Sequence, residues 1–261
     1  MRAFSNYHTH STFCDGRDTP EEMVREAIRL GCPELGFSGH SHVSFDDCCM
    51  TLEGSAAYIS TIRALQEKYE EQIRILLGIE QDIYSDMLTD TLGLDYVIGA
   101  VHYVYKDGEY LSVDLSREDQ IRNVQRHYDG DFYAFAEEYY RTVARVYEVT
   151  HCDIIAHFDL ITKFNEGNAL FDPTHPRYRA AALSALEALR ETPAVFEINT
   201  GAMARGYRTS PYPDRFILDI LCRSGRPLIL SSDCHDKRYL LHGFDDLYEQ
   251  VPNLLKKLPL T

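Results

Sequence analysis

Histidine and carboxylate side chains recur at the ends of short apolar runs in the 261-residue sequence. Two of these sites, His8-x-His10 and Asp233-x-His235, carry a pair of potential metal ligands separated by one residue. In an extended segment both members of such a pair point to the same face, because side chains alternate with a period of two. Imidazole suits Zn, Fe and Mn, and carboxylates add charge and can bridge two ions. The spacing therefore favours metal chemistry over simple acid–base chemistry.

Further potential ligands also follow apolar runs, namely His40, His42, Glu80, His102 and His157. Seven of the eleven histidines lie at such positions. One ion usually takes about three or four protein ligands, so the set is too large for one ion and suits two or three. The alternative is a histidine-rich polar cluster without metal, which would be costly to bury.

Short apolar runs alternate with helical patterns, which predicts a parallel sheet with helical crossovers. The strand-like runs are residues 3–8, 34–40, 73–80, 96–102, 153–157, 194–199 and 227–233. The helical patterns cover residues 19–30, 55–71, 131–149, 177–190 and 214–224, with a short helix after Asp86 and a last one over residues 245–257. The region 103–131 is expected to be a long irregular loop.

Seven strands of this kind predict an α/β fold, a barrel related to the (β/α)₈ fold but one unit short, with an open doubly wound sheet as the alternative. Active sites of parallel barrels lie at the C-terminal ends of the strands. Six of the seven predicted strands end in His, Glu or Asp, so these side chains are expected to converge at the barrel mouth. No linker or repeat interrupts the chain, and residues 1–261 are expected to form a single domain.

Composition narrows the class of protein. Lys and Arg total 26 and Asp and Glu total 41, which gives a formal charge of −15. Because nucleic-acid binding depends on basic side chains, no nucleic-acid partner is expected. The seven cysteines include no CxxC pair, which favours reduced thiols. Neither a signal peptide nor an apolar membrane span is evident, so a cytoplasmic protein with no membrane partner is expected.

Seven motifs occur in an order typical of one family: YHTHSTFCDGRDTPEE, GFSGHSH, GIEQDIY, IGAVHYV, AHFDLITKF, FEINTGAMARGYRTSPYP and LSSDCHD. They resemble the polymerase-and-histidinol-phosphatase (PHP) family, and most closely its monofunctional histidinol-phosphate phosphatase branch. The resemblance runs from His8 to about His235. It implies a distorted (β/α)₇ TIM-like barrel and a metal-dependent phosphatase that hydrolyses L-histidinol phosphate in histidine biosynthesis.

The resemblance also implies three metal positions, filled by Zn, Fe or Mn. The first uses His8, His10, Glu80 and Asp233. The second shares Glu80 and adds His102 and His157. The third uses Asp15, His40 and His235, although some family members have a different residue in place of this Asp. The implied reaction is in-line attack on phosphorus by a hydroxide held between two ions at this centre, with Asp233 and His235 in the catalytic set.

Substrate contacts follow from the same resemblance. Arg205 is expected to grip the phosphate, since a guanidinium can bind it bidentately, with Arg208 as the alternative. Lys163 is a second phosphate candidate, Asp114 is expected to pair with an amine or imidazolium, and His42 to contact substrate or protonate the leaving group. Other small phosphomonoesters, or nucleotide and oligonucleotide phosphodiesters, remain alternative substrates, and a non-enzymatic metal-binding protein is the alternative class. The protein is expected to be a monomer or a homodimer.

Overall fold

The strands of the computed structural model form a curled parallel sheet. The structure describes residues 2–87 and 92–251, together with Leu255 and Leu258. Its strands within these ranges are β1 (Glu34–Phe37), β2 (Arg74–Asp82), β3 (Tyr96–Ala100), β4 (Tyr103–Lys106), β5 (Glu109–Ser112), β6 (Ile154–Ile155), β7 (Val195–Asn199) and β8 (Leu228–Ser231). Six pair in parallel in the order β1–β2–β3–β6–β7–β8, and β4 pairs with β5 in an antiparallel hairpin.

The first predicted strand, residues 3–8, forms isolated bridges instead of a regular strand. Asn6 pairs with Leu35 in β1, and Thr9 pairs with Cys234 just beyond β8, both in parallel. The backbone N–H of His10 donates to the Cys234 carbonyl at 2.9 Å. The segment therefore links the two edges of the sheet. This curled arrangement agrees with the predicted barrel-like α/β fold, although the described residues form six strands and a bridging segment rather than seven strands.

Helices lie between β1 and β2, β5 and β6, β6 and β7, and β7 and β8. In the described ranges they are α1 (Pro20–Arg29), α2 (Leu52–Tyr69), α3 (Arg117–His127), α4 (Phe132–Val143), α5 (Val146–Thr150), α6 (Pro176–Ala188), α7 (Gly201–Ala204), α8 (Arg215–Ser224) and α9 (Phe244–Gln250). Helix α1 begins at a capping box, in which Thr19 and Glu22 bond each other's backbone N–H groups. None of the helices within the described ranges is long and apolar enough to cross a bilayer. All seven cysteines are described and free.

Two predictions about irregular and helical segments differ from the structure, and two others lie outside the described residues. The region 103–131 is not irregular, because it contains the β4–β5 hairpin and α3. Val124 is the apolar side chain that α3 buries. The buried amide of Gln120, also on α3, donates hydrogen bonds to two carbonyls at 3.0 Å. The predicted helix 131–149 divides into α4 and α5. The short helix after Asp86 and most of residues 252–257 fall outside the described residues.

Packed side chains fill the barrel interior below the strand ends. Tyr96 is fully buried there, and its hydroxyl donates to the Phe37 carbonyl at 3.0 Å. A Cβ atom at Gly78 would lie 2.3 Å from Cζ of Tyr96, so glycine is required for this close approach. Inward-facing Ile98 and Ile229 belong to the same apolar cluster. The polar site is therefore confined to the C-terminal ends of the strands.

Candidate metal centre

The Glu80 carboxylate, on β2, is the centre of a ring of imidazoles. Its side chain is 1% exposed. Each of its oxygens faces histidine nitrogens from other strands. The distances from Oε2 are 3.1 Å to His8 Nε2, 3.4 Å to His10 Nε2 and 3.0 Å to His40 Nδ1, and those from Oε1 are 2.9 Å to His157 Nε2 and 3.3 Å to His102 Nε2. Five predicted ligands thus meet around one carboxylate.

The remaining predicted ligands join this ring from two sides. Asp233 Oδ1 lies 3.2 Å from His10 Nε2 and 3.6 Å from His8 Nε2. Asp15 Oδ2 lies 3.1 Å from His235 Nε2. All nine predicted metal ligands therefore converge. Their closest groupings are His8, His10 and Asp233; His40, Glu80 and His102; and His10, Asp15, His40 and His235.

Several buried polar atoms of this cluster fit a cation. Nε2 of His8, Nε2 of His10 and Oε2 of Glu80 are buried and make no hydrogen bond within the described residues. Unpaired buried polar atoms are costly, and each of these is a metal-ligand atom type. Tetrahedral bonds of about 2.0–2.1 Å place neighbouring ligand atoms roughly 3.3 Å apart, close to the observed separations. The residues therefore fit divalent metal ions.

His10 and Glu80 have protonation states that suit metal binding. Burial, together with the neighbouring His235 and His40, lowers the pKa of His10 to about 3, so this ring is neutral at physiological pH. Burial opposes ionisation of Glu80, but the charges of His8, His40 and His102 hold its pKa well below the ordinary value. Neutral imidazoles and ionised carboxylates are the forms that bind metal. Burial opposes protonation of His8, His40 and His102, but the surrounding carboxylates raise the pKa of these three rings, so metal binding would displace protons from them.

Two carboxylates behind the ring were missed by sequence reasoning. Glu197 Oε1, on β7, lies 2.6 Å from His8 Nδ1. Asp82 Oδ2 accepts from the His102 backbone N–H at 2.8 Å and lies 3.1 Å from His102 Nδ1. Glu197 contacts the proposed ligand His8 from behind and is not one of the nine predicted ligands. The sequence feature that could have indicated Glu197 is a carboxylate within an otherwise apolar, fully buried strand.

Arg205 and Lys163 both lie beside the cluster. Arg205 Nη2 donates to Asp233 Oδ2 at 3.0 Å, and its Nη1 lies 2.9 Å from His235 Nδ1. Lys163 Nζ donates to the Asp114 carbonyl at 2.8 Å and to Asp114 Oδ2 at 3.1 Å. Three of the predicted substrate-contacting residues are therefore at the site.

The structure does not bring Arg208 or His42 to the cluster. Arg208 is 8% exposed, and its guanidinium is bonded to Thr162, Ser210 and Asp214. His42 Nδ1 donates to the Met50 carbonyl at 2.9 Å, and His42 lines neither cavity described below. Both residues are instead engaged by neighbouring loops, which spacing along the sequence did not reveal.

Two cavities that differ in charge open onto the cluster. They share a wall of Asp15, His40, His102, Asp114 and Lys163. The first, the acidic cavity, has a volume of about 490 Å³, and its other walls include Asp46, Asp82, Glu109, Asp119, Phe45, Tyr103 and Tyr110. The second, the arginine cavity, has a volume of about 580 Å³ and adds Arg17, Arg205 and Arg238 together with Asp233 and Asp236. Arg17 and Arg238 are each bonded to Asp236, and Arg205 is the arginine of this cavity that lies at the cluster. A cation would therefore be favoured in the acidic cavity and an anion beside Arg205.

Comparisons with known proteins support one family. Two proteins named "Probable histidinol-phosphatase" are 26% identical to this chain. The one from Schizosaccharomyces pombe aligns over 87% of this chain and 79% of its own length, and the one from Deinococcus radiodurans over 96% and 94%.

Two solved structures share the fold. A candidate histidinol phosphatase from Listeria monocytogenes superposes with a TM-score of 0.81 at 22% identity, covering 93% of this chain and 99% of that one. The histidinol phosphate phosphatase of Lactococcus lactis, crystallised with Zn, L-histidinol and phosphate, gives a TM-score of 0.65 at 21% identity, with coverage of 97% and 95%. The model of the PHP domain matches residues 6–201. The chain therefore belongs to the PHP domain family.

Proposed function

We propose that this protein is a metal-dependent phosphomonoesterase that hydrolyses L-histidinol phosphate to L-histidinol and phosphate. The convergence of nine ligand-type side chains, with the buried Glu80 carboxylate at their centre and Arg205 beside them, carries the proposal. The named activity of the relatives that align over most of the chain supports the choice of substrate.

Three sets of ligands would hold the metal ions, which are Zn, Fe or Mn. They are His8, His10, Glu80 and Asp233; Glu80, His102 and His157; and Asp15, His40 and His235. When bound, such ions lower the pKa of a water and neutralise charge on a phosphoryl group. His235 and Asp233 line the arginine cavity and are the members of these sets nearest to Arg205.

Arg205 is the proposed phosphate-binding residue. Its guanidinium lines the arginine cavity and is 29% exposed, so N–H groups remain available to a phosphate. Fixed donors that face a phosphoryl group stabilise the charge of the transition state. Lys163 stands on the wall between the two cavities and can also reach an anion. His42 lies elsewhere, which leaves solvent to protonate the leaving alkoxide.

The acidic cavity suits the organic part of L-histidinol phosphate, which carries an amine and an imidazole. Asp114 is the proposed partner of one of these cations. Burial opposes ionisation of Asp114, but Lys163 and His102 lower its pKa to about 2, so it is negatively charged at neutral pH. With the phosphate on the arginine side, a zwitterionic substrate would be held across the metal centre in one orientation.

Nucleic-acid phosphodiesters are a weaker candidate. The net charge of −15 and the acidic cavity oppose a polyanion. We further propose that residues 1–261 form one domain and that the enzyme works in the cytoplasm as a monomer or a homodimer.

A substrate panel tests the proposal. Phosphate release would be measured with L-histidinol phosphate, neutral phosphomonoesters and p-nitrophenyl diesters, with metal analysis of the same sample. We expect kcat/KM for L-histidinol phosphate to exceed that for the other substrates by at least a hundredfold. Equal turnover of a neutral phosphomonoester would reject the named substrate, and preferred turnover of the diesters would favour the nucleic-acid alternative.

A further inference from the structure

We infer that Glu197 is a positioning residue that couples the ligands of two metal positions. This inference rests on the proposed metal centre but not on the proposed substrate. Glu197 lies at the middle of β7, the strand between β6 and β8. Its side chain is buried and points into the barrel behind the imidazole ring of His8.

The Glu197 carboxylate receives two donors on each oxygen. Oε1 lies 2.6 Å from His8 Nδ1 and also accepts from the Ser231 hydroxyl. Oε2 accepts from the His157 backbone N–H at 2.8 Å and from Asn199 Nδ2 at 2.8 Å. A carboxylate with four donors around it is fixed in position and orientation.

This arrangement determines which nitrogen of His8 faces the metal centre. An ionised carboxylate only accepts hydrogen bonds, so His8 Nδ1 carries the proton and donates to Glu197. The lone pair of Nε2 is thereby directed towards Glu80 and Asp233, to which Nε2 lies 3.1 and 3.6 Å away. Carboxylates that orient a ligating histidine in this way commonly contribute ten- to a hundredfold in metal affinity.

The second contact extends the effect to another strand. The backbone of His157 is fixed by the bond from its N–H to Glu197 Oε2, and its Nε2 lies 2.9 Å from Glu80 Oε1. His8 belongs to the first proposed metal position and His157 to the second. One buried carboxylate therefore sets the geometry of ligands on both sides of Glu80.

Glu197→Gln is the sharpest test. The amide keeps the shape of the side chain but replaces one acceptor oxygen with an NH₂ donor. An NH₂ group on the His157 side faces a backbone N–H, so that contact is lost. On the His8 side the NH₂ group can be accepted only if His8 moves its proton to Nε2, which removes the lone pair that faces the metal centre. Zn²⁺ binding to the metal-stripped variant would be measured by competition with a chromogenic chelator, without substrate. We expect the affinity of the two tightest sites to fall ten- to a hundredfold.

Glu34→Gln is the matched control. Glu34 is also a buried strand carboxylate, and it accepts from the Tyr7 hydroxyl at 2.6 Å and from Arg74 at 3.1 Å. We expect this variant to bind Zn²⁺ as the unaltered protein does. The inference would be overturned if folded Glu197→Gln bound Zn²⁺ with an affinity within threefold of the unaltered protein. It would also be overturned if Glu34→Gln lost as much Zn²⁺ affinity as Glu197→Gln. Should Glu197→Gln not fold, Ser231→Ala removes one donor to the same carboxylate, and unchanged Zn²⁺ affinity there would contradict the inference.

Discussion

Arg205 binds Asp233 through two hydrogen bonds, from Nη2 to Oδ2 at 3.0 Å and from Nη1 to the backbone carbonyl at 3.3 Å. Burial opposes ionisation of Asp233, but the charge of Arg205 helps to hold the pKa of Asp233 well below its ordinary value. The proposed phosphate-binding group is therefore held in place by a proposed metal ligand. Because the guanidinium retains free N–H groups on the cavity side, it can bind a phosphate without leaving Asp233.

Replacing Arg205 should impair catalysis without emptying the metal centre. In Arg205→Ala we expect kcat/KM for L-histidinol phosphate to fall about a hundredfold, which is the typical cost of removing one fixed donor to a developing anion. Arg205→Lys should be intermediate, because it keeps the charge but not the fork geometry. Steady-state kinetics and metal analysis check this, with exposed Arg215→Ala as the control. A fall in kcat/KM of less than threefold in Arg205→Ala would show that Arg205 does not bind the phosphate.

Asp114 should determine preference for a cationic substrate. In Asp114→Asn we expect KM for L-histidinol phosphate to rise about tenfold, since each lost charge contact costs roughly 1.4 kcal/mol. KM for p-nitrophenyl phosphate, which has no cationic group, should change less than twofold. Glu118→Gln, at an exposed position of α3, is the control. Equal effects on both substrates would show that Asp114 does not contact the organic part.

The pair of Lys163 and Asp114 gives a pH-dependent prediction. With Lys163 present the pKa of Asp114 is about 2, so its charge, and any stability it contributes, is complete above the ordinary pKa near 4 and is lost only as pH falls towards 2. In Lys163→Met, burial acts without this partner and should raise the pKa of Asp114. As pH falls from 7 to 4.5, Asp114 should therefore lose its charge in the variant but not in the unaltered protein. The KM of the variant for L-histidinol phosphate, divided by that of the unaltered protein, should rise over this range. A ratio independent of pH would contradict this electrostatic coupling.

Arg208 should contribute to stability and not to phosphate binding. Its buried guanidinium pairs with Asp214 and donates to Thr162 and Ser210. Arg208→Met should lower the free energy of unfolding by roughly 3 kcal/mol, because it leaves a partly buried carboxylate without its partner. Urea denaturation measures the loss, and kcat/KM per folded molecule should stay within threefold. A hundredfold fall in kcat/KM in the folded variant would instead restore Arg208 as the phosphate contact.

Most of the metal-ligand candidates could be predicted because they lie at strand ends, which converge in a parallel barrel. His8, His10 and Glu80 were placed together in this way, whereas Asp15 and the division into three metal positions came from the family resemblance alone. The positions of Arg208 and His42 depend on which loop carbonyls and carboxylates capture them, and such long-range partners leave no periodic signal. Helix α3 was missed for a related reason, since amide hydrogen bonds of Gln120 hold it more than an apolar stripe does. Glu197 was overlooked because it supports a ligand rather than being one.

Metal removal and restoration tests the central claim most directly. Phosphate release from L-histidinol phosphate would be measured for the purified protein, after stripping by a chelator, and after return of Zn²⁺, Mn²⁺ or Fe²⁺, with His10→Ala and Asp233→Ala in parallel. We predict at least a thousandfold loss of kcat on stripping, recovery with one of these ions, and loss of both metal and activity in the two variants. Full activity in the stripped protein, or in both variants, would contradict a metal-dependent phosphatase centred on Glu80.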